Sequence, residues 1–248
     1  MQKNKVLVWL NVIATVATIV MNGLANALPF NNLSTAEISD SFEVYFVPAG
    51  YVFAIWGVIY LFLLAFAIYQ ALPAQRDNPR LQRIGYAYLL SCVANSVWLL
   101  FWHHLMFWWT LVAMLVLLGS LIYIYLRLDI GQATPLKMER WAVDTTFSLY
   151  LGWITVATVA NVTSLLDWLN WGGWGIAPQV WALIMLIVAT GVALAVSLTR
   201  RDVAYIAVIV WAFVGIAVKH SGVGLVAIPA VVLAAVAGLS LLYRRNLT

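Results

Sequence analysis

Charge is scarce in this chain: 9% of its 248 residues are Asp, Glu, Lys or Arg, where a soluble domain carries about a quarter. That shortage excludes a water-soluble enzyme, because 65% of the residues are hydrophobic, more than one core can hide, and the excess must face lipid. Cysteine is nearly missing. Cys92, alone, excludes an intramolecular disulfide and any cysteine metal cluster. A large excess of one charge is missing too. The net charge is +4, spread over short loops, which argues against nucleic acid as a partner. No carboxylate sits in the middle of an apolar run, so the series of intramembrane acids that a proton relay needs is not there. No Ser–His–Asp spacing, phosphate loop or metal motif emerges. The expectation is no enzyme, no catalytic or metal site and no required cofactor.

What is present is apolar length. A spanning helix needs about 20 mostly apolar residues, and eight stretches approach that measure: 6–28, 49–72, 84–102, 105–126, 144–166, 178–198, 203–219 and 223–243. The seventh is the shortest, bounded by Arg200, Arg201 and Asp202 before it and Lys219 at its end. Loop charge supports the count. Lys3 and Lys5, Arg76, Arg80 and Arg83, Arg127, Lys137 and Arg140, Arg200 and Arg201, and Arg244 and Arg245 all fall on one side, leaving Lys219 on the other. Under the positive-inside rule both termini are expected in the cytoplasm, in a multi-pass protein of the cytoplasmic membrane. The first run reads as a membrane helix and not a cleaved secretory signal, being too long and lacking a small-x-small site. In the longest loop, Ser34-Thr35-Ala36-Glu37 is a capping-box pattern that predicts a helical turn over the bundle mouth.

Polar groups at membrane depth are costly, so their spacing is informative. Asn11, Thr15, Thr18, Asn22 and Asn26 follow one another at intervals of 4, 3, 4 and 4, which stacks them on one helical face. Such a face is either hydrogen-bonding glue between helices or the wall of a polar-lined cavity. In the last span, Ala230, Ala234 and Gly238 form a small-residue stripe suited to close packing. Tryptophan is abundant, with 13 residues. Trp9, Trp108, Trp109, Trp141, Trp168, Trp171 and Trp174 lie near span ends, where indoles favour the interface. Trp56, Trp98, Trp153 and Trp211 lie further in, where each indole N–H must find a partner. His103 and His104 are adjacent, so on a helix they point about 100° apart and do not share a metal; they read as interfacial loop residues. Asp144, near Arg140, reads as a charge favoured at a helix N-terminus.

Three motifs carry a resemblance. Pro48-Ala49-Gly50-Tyr51-Val52-Phe53-Ala54-Ile55-Trp56-Gly57-Val58-Ile59-Tyr60 opens the second span. Asn95-Ser96-Val97-Trp98, followed by Phe101, lies in the third, and Tyr150-Leu151-Gly152-Trp153 with Ala157-Thr158 and Asn161 in the fifth. In this order they resemble the translocator protein family, also called tryptophan-rich sensory proteins. The likeness covers residues 1–166, a five-helix bundle; residues 167–248 would add three helices. Ala54-Ile55 is shorter than the Gly-Pro-containing stretch usual in that family, and the Tyr-and-Arg cholesterol pattern after the fifth helix is absent. Only a loose version occurs elsewhere, from Leu121 through Tyr123 to Arg127. The resemblance implies a pocket within the five-helix bundle that takes porphyrins, haem-like molecules or other flat hydrophobic ligands.

The residues fit that implication. Tyr150, Trp153, Ala157 and Asn161 share one helical face, as do Asn95, Trp98 and Trp102, and Trp56 with Tyr60. Ala157 leaves room beside Trp153 for a planar ring, and Asn161 offers a hydrogen bond deeper in. The expectation is therefore an all-α integral membrane bundle of about eight helices that contacts the lipid bilayer. It would bind, sense or transport a small planar hydrophobic ligand through Trp56, Tyr60, Asn95, Trp98, Tyr150, Trp153, Ala157, Asn161, Asn22 and Asn26. The rivals are a Trp-rich packed core without ligand, a secondary transporter of an unrelated solute, a structural or assembly subunit of a membrane complex and, weakest of them, an enzyme that acts on a bound porphyrin. A homo-oligomer is left open.

Overall fold

The computed structural model describes residues 2–27 and 30–243; the side chains of residues 2–4 and 26 also lie outside what is described. Lys3, Arg244, Arg245 and the side chain of Asn26, all used above, therefore receive no structural account. The described residues form helices and turns without a strand. They are α1 (Gln2–Ala27), α2 (Thr35–Asp40), α3 (Ile55–Ala71), α4 (Pro79–Gln82), α5 (Ala87–His103), α6 (Phe107–Arg127), α7 (Lys137–Glu139), α8 (Thr145–Trp168), α9 (Pro178–Arg200), α10 (Val203–Lys219) and α11 (Gly224–Leu239). A 3-10 turn, Gly50–Ala54, leads into α3, and a π turn, Arg140–Asp144, leads into α8.

Eight of these helices are apolar, and they coincide with the eight stretches read from hydropathy. Six segments are long and apolar enough to cross a membrane. The other two, α5 and α10, have 17 residues each, about 26 Å of helix against a hydrocarbon core near 30 Å. Both begin just after a residue in the left-handed region, Gly85 at φ 56° and Arg201 at φ 52°, which stops a helix from extending backwards.

Five helices close into a ring. α1 packs on α5, α5 on α6, α6 on α8, α8 on α3, and α3 back on α1. The remaining three form a layer in which α10 and α9 both pack on α11, and α10 docks on α8 and on the 3-10 turn before α3. Two glycines allow that docking. A Cβ at Gly215 of α10 would lie 2.2 Å from Val52 Cγ2, and one at Gly152 of α8 would lie 3.1 Å from Val208 Cβ. The Ala49 N–H donates to the Gly215 carbonyl (3.1 Å), and the Trp211 indole N–H to the Val52 carbonyl (3.1 Å). Trp211, expected away from the span ends with a partner for its indole N–H, lies mid-way along α10, is 39% exposed and makes that bond to Val52. Asp202 adds a polar stitch: its carboxylate accepts from Tyr125 of α6, Ser148 of α8 and the Tyr205 backbone of α10.

The α1 stripe is turned inward. Asn11, Thr15, Thr18 and Asn22 are buried while Ile13, Val16 and Val20 on the opposite side are exposed. The stripe serves largely as glue. Asn11 donates to Gln70 of α3 (3.1 Å), Thr15 shares a 2.7 Å hydrogen bond with the Tyr88 hydroxyl, and Asn22 donates to Asn95 of α5 (2.9 Å). On α11, Ala230 and Ala234 are buried, and Gly238 lies against Val210 of α10.

On the Arg-rich face, Arg80 clamps three segments. Its guanidinium pairs with Glu139 (2.9 Å) and Asp144 (2.7 Å) and donates to the Leu128 carbonyl. Asp144 is thus paired with Arg80 of α4, and forms no salt bridge with the neighbouring Arg140.

Candidate functional site

The opposite face of the ring is covered by α2. The capping box predicted at Ser34 forms: the Ser34 hydroxyl accepts from the Glu37 N–H, and the Glu37 carboxylate accepts from the Ser34 N–H. The Ser34 N–H, with the Ser34 hydroxyl beside it, holds the Glu37 carboxyl below its ordinary range. Inside α2, Thr35 ties the cover down. Its carbonyl accepts from the Trp102 indole (3.3 Å), and its hydroxyl lies 3.2 Å from His103 Nε2. His103 Nδ1 faces the Phe30 carbonyl at 3.2 Å, which requires a proton on Nδ1. His103, expected in an interfacial loop, is therefore a fully buried latch at the end of α5. His104 keeps the exposed position.

Beneath this cover the motif residues converge. Trp56 stacks on Tyr60 with centroids 5.5 Å apart and meets Tyr150 and Trp153 edge-on at 6.0 and 6.2 Å. Trp98 stacks on Trp102 at 5.4 Å, and Phe53 meets Trp153 edge-on at 5.7 Å. The amides are engaged: Asn95 accepts from Asn22 and donates to the Tyr150 hydroxyl (3.0 Å), while Asn161 accepts from the Trp98 indole (3.0 Å) and donates to Thr110 (2.9 Å). Asn95 and Asn161 thus orient the aromatic walls. One polar atom is different. Trp153 is 3% exposed, and its indole N–H has no partner.

Two chambers meet at Trp56, Trp98, Phe53 and Thr35. The inner one, beside Trp153, Ala157 and Asn161, holds about 40 Å³, so the room expected beside Ala157 admits little more than water. The outer one holds about 470 Å³ and extends past Tyr60 and Asn22 to Gly23 of α1 and Gly57 of α3. Both glycines are exposed and have nothing near the position of a Cβ, so the outer chamber has a glycine-lined margin between α1 and α3. Sequence reasoning did not assign Phe53, Thr35, Gly23 or Gly57 to the site, although Phe53 and Gly57 stand in the motif that opens the second span and Thr35 in the capping-box pattern. Among the described residues no group of His, Cys, Asp and Glu is placed to hold a metal ion.

Fold and site together define a polytopic helical membrane protein with an aromatic-walled interior cleft. The family model of TSPO-like proteins matches residues 8–243, and the chain belongs to that family. The match runs through the ring and through α9, α10 and α11 alike. Searches among curated proteins and among solved structures found no match.

Proposed function

We propose that the protein binds a planar hydrophobic ligand of the tetrapyrrole type in the cleft between α1, α3, α5 and α8, and that it senses or carries that ligand. The observation that carries the reading is the unpartnered N–H of Trp153. A buried donor without an acceptor costs about 1–3 kcal/mol, and a ligand in the outer chamber that extends a carbonyl or carboxylate into the inner one would remove that cost. The surrounding indole and phenol rings favour flat aromatic surfaces. The outer chamber lies within the range of about 300–1,000 Å³ common for small-molecule sites. Its margin at Gly23 and Gly57 favours exchange with the bilayer. The Arg-rich face and both termini belong, on this reading, to the cytoplasmic side of a cell membrane.

Titration of the purified protein with protoporphyrin, followed by tryptophan quenching, tests the reading. Trp153→Phe keeps the ring and deletes the donor, so binding should weaken about threefold to tenfold. Ala157→Phe fills the inner chamber and should weaken it further. Affinity unchanged in both variants sinks the proposal.

A further inference from the structure

On the Arg-poor face lies a second cavity, of about 270 Å³, built where the first long loop, the end of α8 and the start of α9 meet. Phe46 lines it while the next residue, Val47, lines the inner chamber of the core cleft, so the loop separates the two spaces. Its walls include three aromatic rings, Tyr45, Trp171 and Trp181, and two carboxylates, Glu43 and Asp167.

The rings are fixed in place. Trp171 and Trp181 lie 5.2 Å apart at 53°, and Trp174 closes the group at 5.3 and 5.8 Å. The Trp181 indole N–H donates to the Gly173 carbonyl (3.0 Å). Gly173 sits at φ 60°, a conformation that favours glycine, and a Cβ there would come within 3.3 Å of that same nitrogen. Tyr45 accepts through its hydroxyl from Gln179 (3.0 Å) and packs its ring on His220 at 5.2 Å.

The charge is one-sided. Lys219, at the end of α10 beside His220, is committed to Asp40. His220 directs Nε2 at the Val47 carbonyl, and burial pushes its pKa down, so it stays neutral at pH 7. Among the described residues neither Glu43 nor Asp167 belongs to an ion pair. Aromatic faces present negative potential, and a cation within about 6 Å of a ring centroid is attracted to it. Two carboxylates beside such faces repel an anion and are poorly served by a neutral hydrocarbon.

We propose that this cavity binds an organic ammonium ion, either free or as the headgroup of a membrane lipid. Calorimetric titration of the full chain in dodecyl maltoside micelles, which carry neither charge nor ammonium, tests it. The probe is phenyltrimethylammonium, and its uncharged counterpart of the same shape is tert-butylbenzene. The cation should bind saturably, and about tenfold or more tighter than the hydrocarbon. The double variant E43Q/D167N, which changes charge without changing volume, should lose about tenfold, and Trp171→Leu should lose a similar factor with helix content intact. Doping the micelles with phosphatidylcholine, against phosphatidylglycerol as control, names the source. Competition by phosphatidylcholine alone assigns the site to a lipid headgroup, and its failure to compete assigns it to a free ammonium ion. Absence of saturable binding, equal affinity for the hydrocarbon, or an unaffected E43Q/D167N protein would each overturn the proposal.

Discussion

The ring of α1, α3, α5, α6 and α8 buries asparagines, threonines and serines, many of them bonded across to another helix: Asn11 to Gln70, Thr15 to Tyr88, Asn22 to Asn95, Asn161 to Thr110. The layer of α9, α10 and α11 buries alanines (Ala182, Ala189, Ala193, Ala212, Ala217, Ala230, Ala234 and Ala237), and of its described polar residues just Thr190, Ser197 and Asp202 are buried. Lipid removes the hydrophobic drive between helices, so association rests on close packing and interhelical hydrogen bonds. The ring uses the directional kind, which fixes angles around a cleft. The layer uses the close-packed kind, which supports the ring from behind α8.

That contrast is open to direct attack. The largest effect is expected at Arg80. Arg80→Met leaves the largely buried carboxylates of Glu139 and Asp144 without a partner, at a cost of about 3–5 kcal/mol. Arg200 pairs with Asp129, which is half exposed, so Arg200→Met should cost about 1 kcal/mol or less. Thermal unfolding in nanodiscs compares the two, and equal losses would erase the distinction between ring and layer. A middle effect is expected where the two bodies touch. Gly215→Ala drives a methyl into Val52 and should cost about 1–3 kcal/mol. Gly238→Ala, whose new methyl would meet Val210 at 3.9 Å, should stay within about 0.5 kcal/mol. Similar melting temperatures for both would show that the docking seam is soft. The smallest effect separates two hydroxyls. Thr15→Val loses the cross-helix bond to Tyr88 and should cost about 0.6 kcal/mol. Thr190 bonds only within its own helix, to the Leu186 carbonyl, and Thr190→Val should change nothing measurable.

Much of the fold is legible in the sequence because it depends on neighbours three or four residues apart. The apolar runs, the inward stripe of α1 and the Ser34 capping box are all of that kind. Tertiary pairings are of another kind. Arg80 and Asp144 stand 64 positions apart, and no local rule chooses Arg80 over Arg140. The burial of His103 depends on how the loop over it folds. At the candidate site, the shared faces of Trp98 with Trp102 and of Trp153 with Ala157 follow from helical period. Which side of those faces holds open space does not, because it is decided by how Trp56 and Tyr60 from another helix lean across. The second cavity, on the Arg-poor face, shows the same limit: Trp171 and Trp174 have the positions of ordinary interfacial indoles, and only the folded loops bring Glu43, Asp167 and Trp181 to them.

The hydrogen bond from Ala49 to Gly215 bears on the order in which the protein is made. The amide belongs to the entrance of α3, and its acceptor is supplied by α10, far later in the chain. A ribosome delivers α1 through α8 to the bilayer before α10 exists. In that interval the Ala49 N–H must be satisfied by water, since lipid offers it no acceptor. The segment before α3 is thus held wet and unfinished until α10 inserts, and closure over so many residues places this contact late in folding. Truncation before residue 203 would then leave the nascent ring open at Gly50–Ala54, the edge beside Phe53 and Trp56, and quality-control proteases would meet the chain there first.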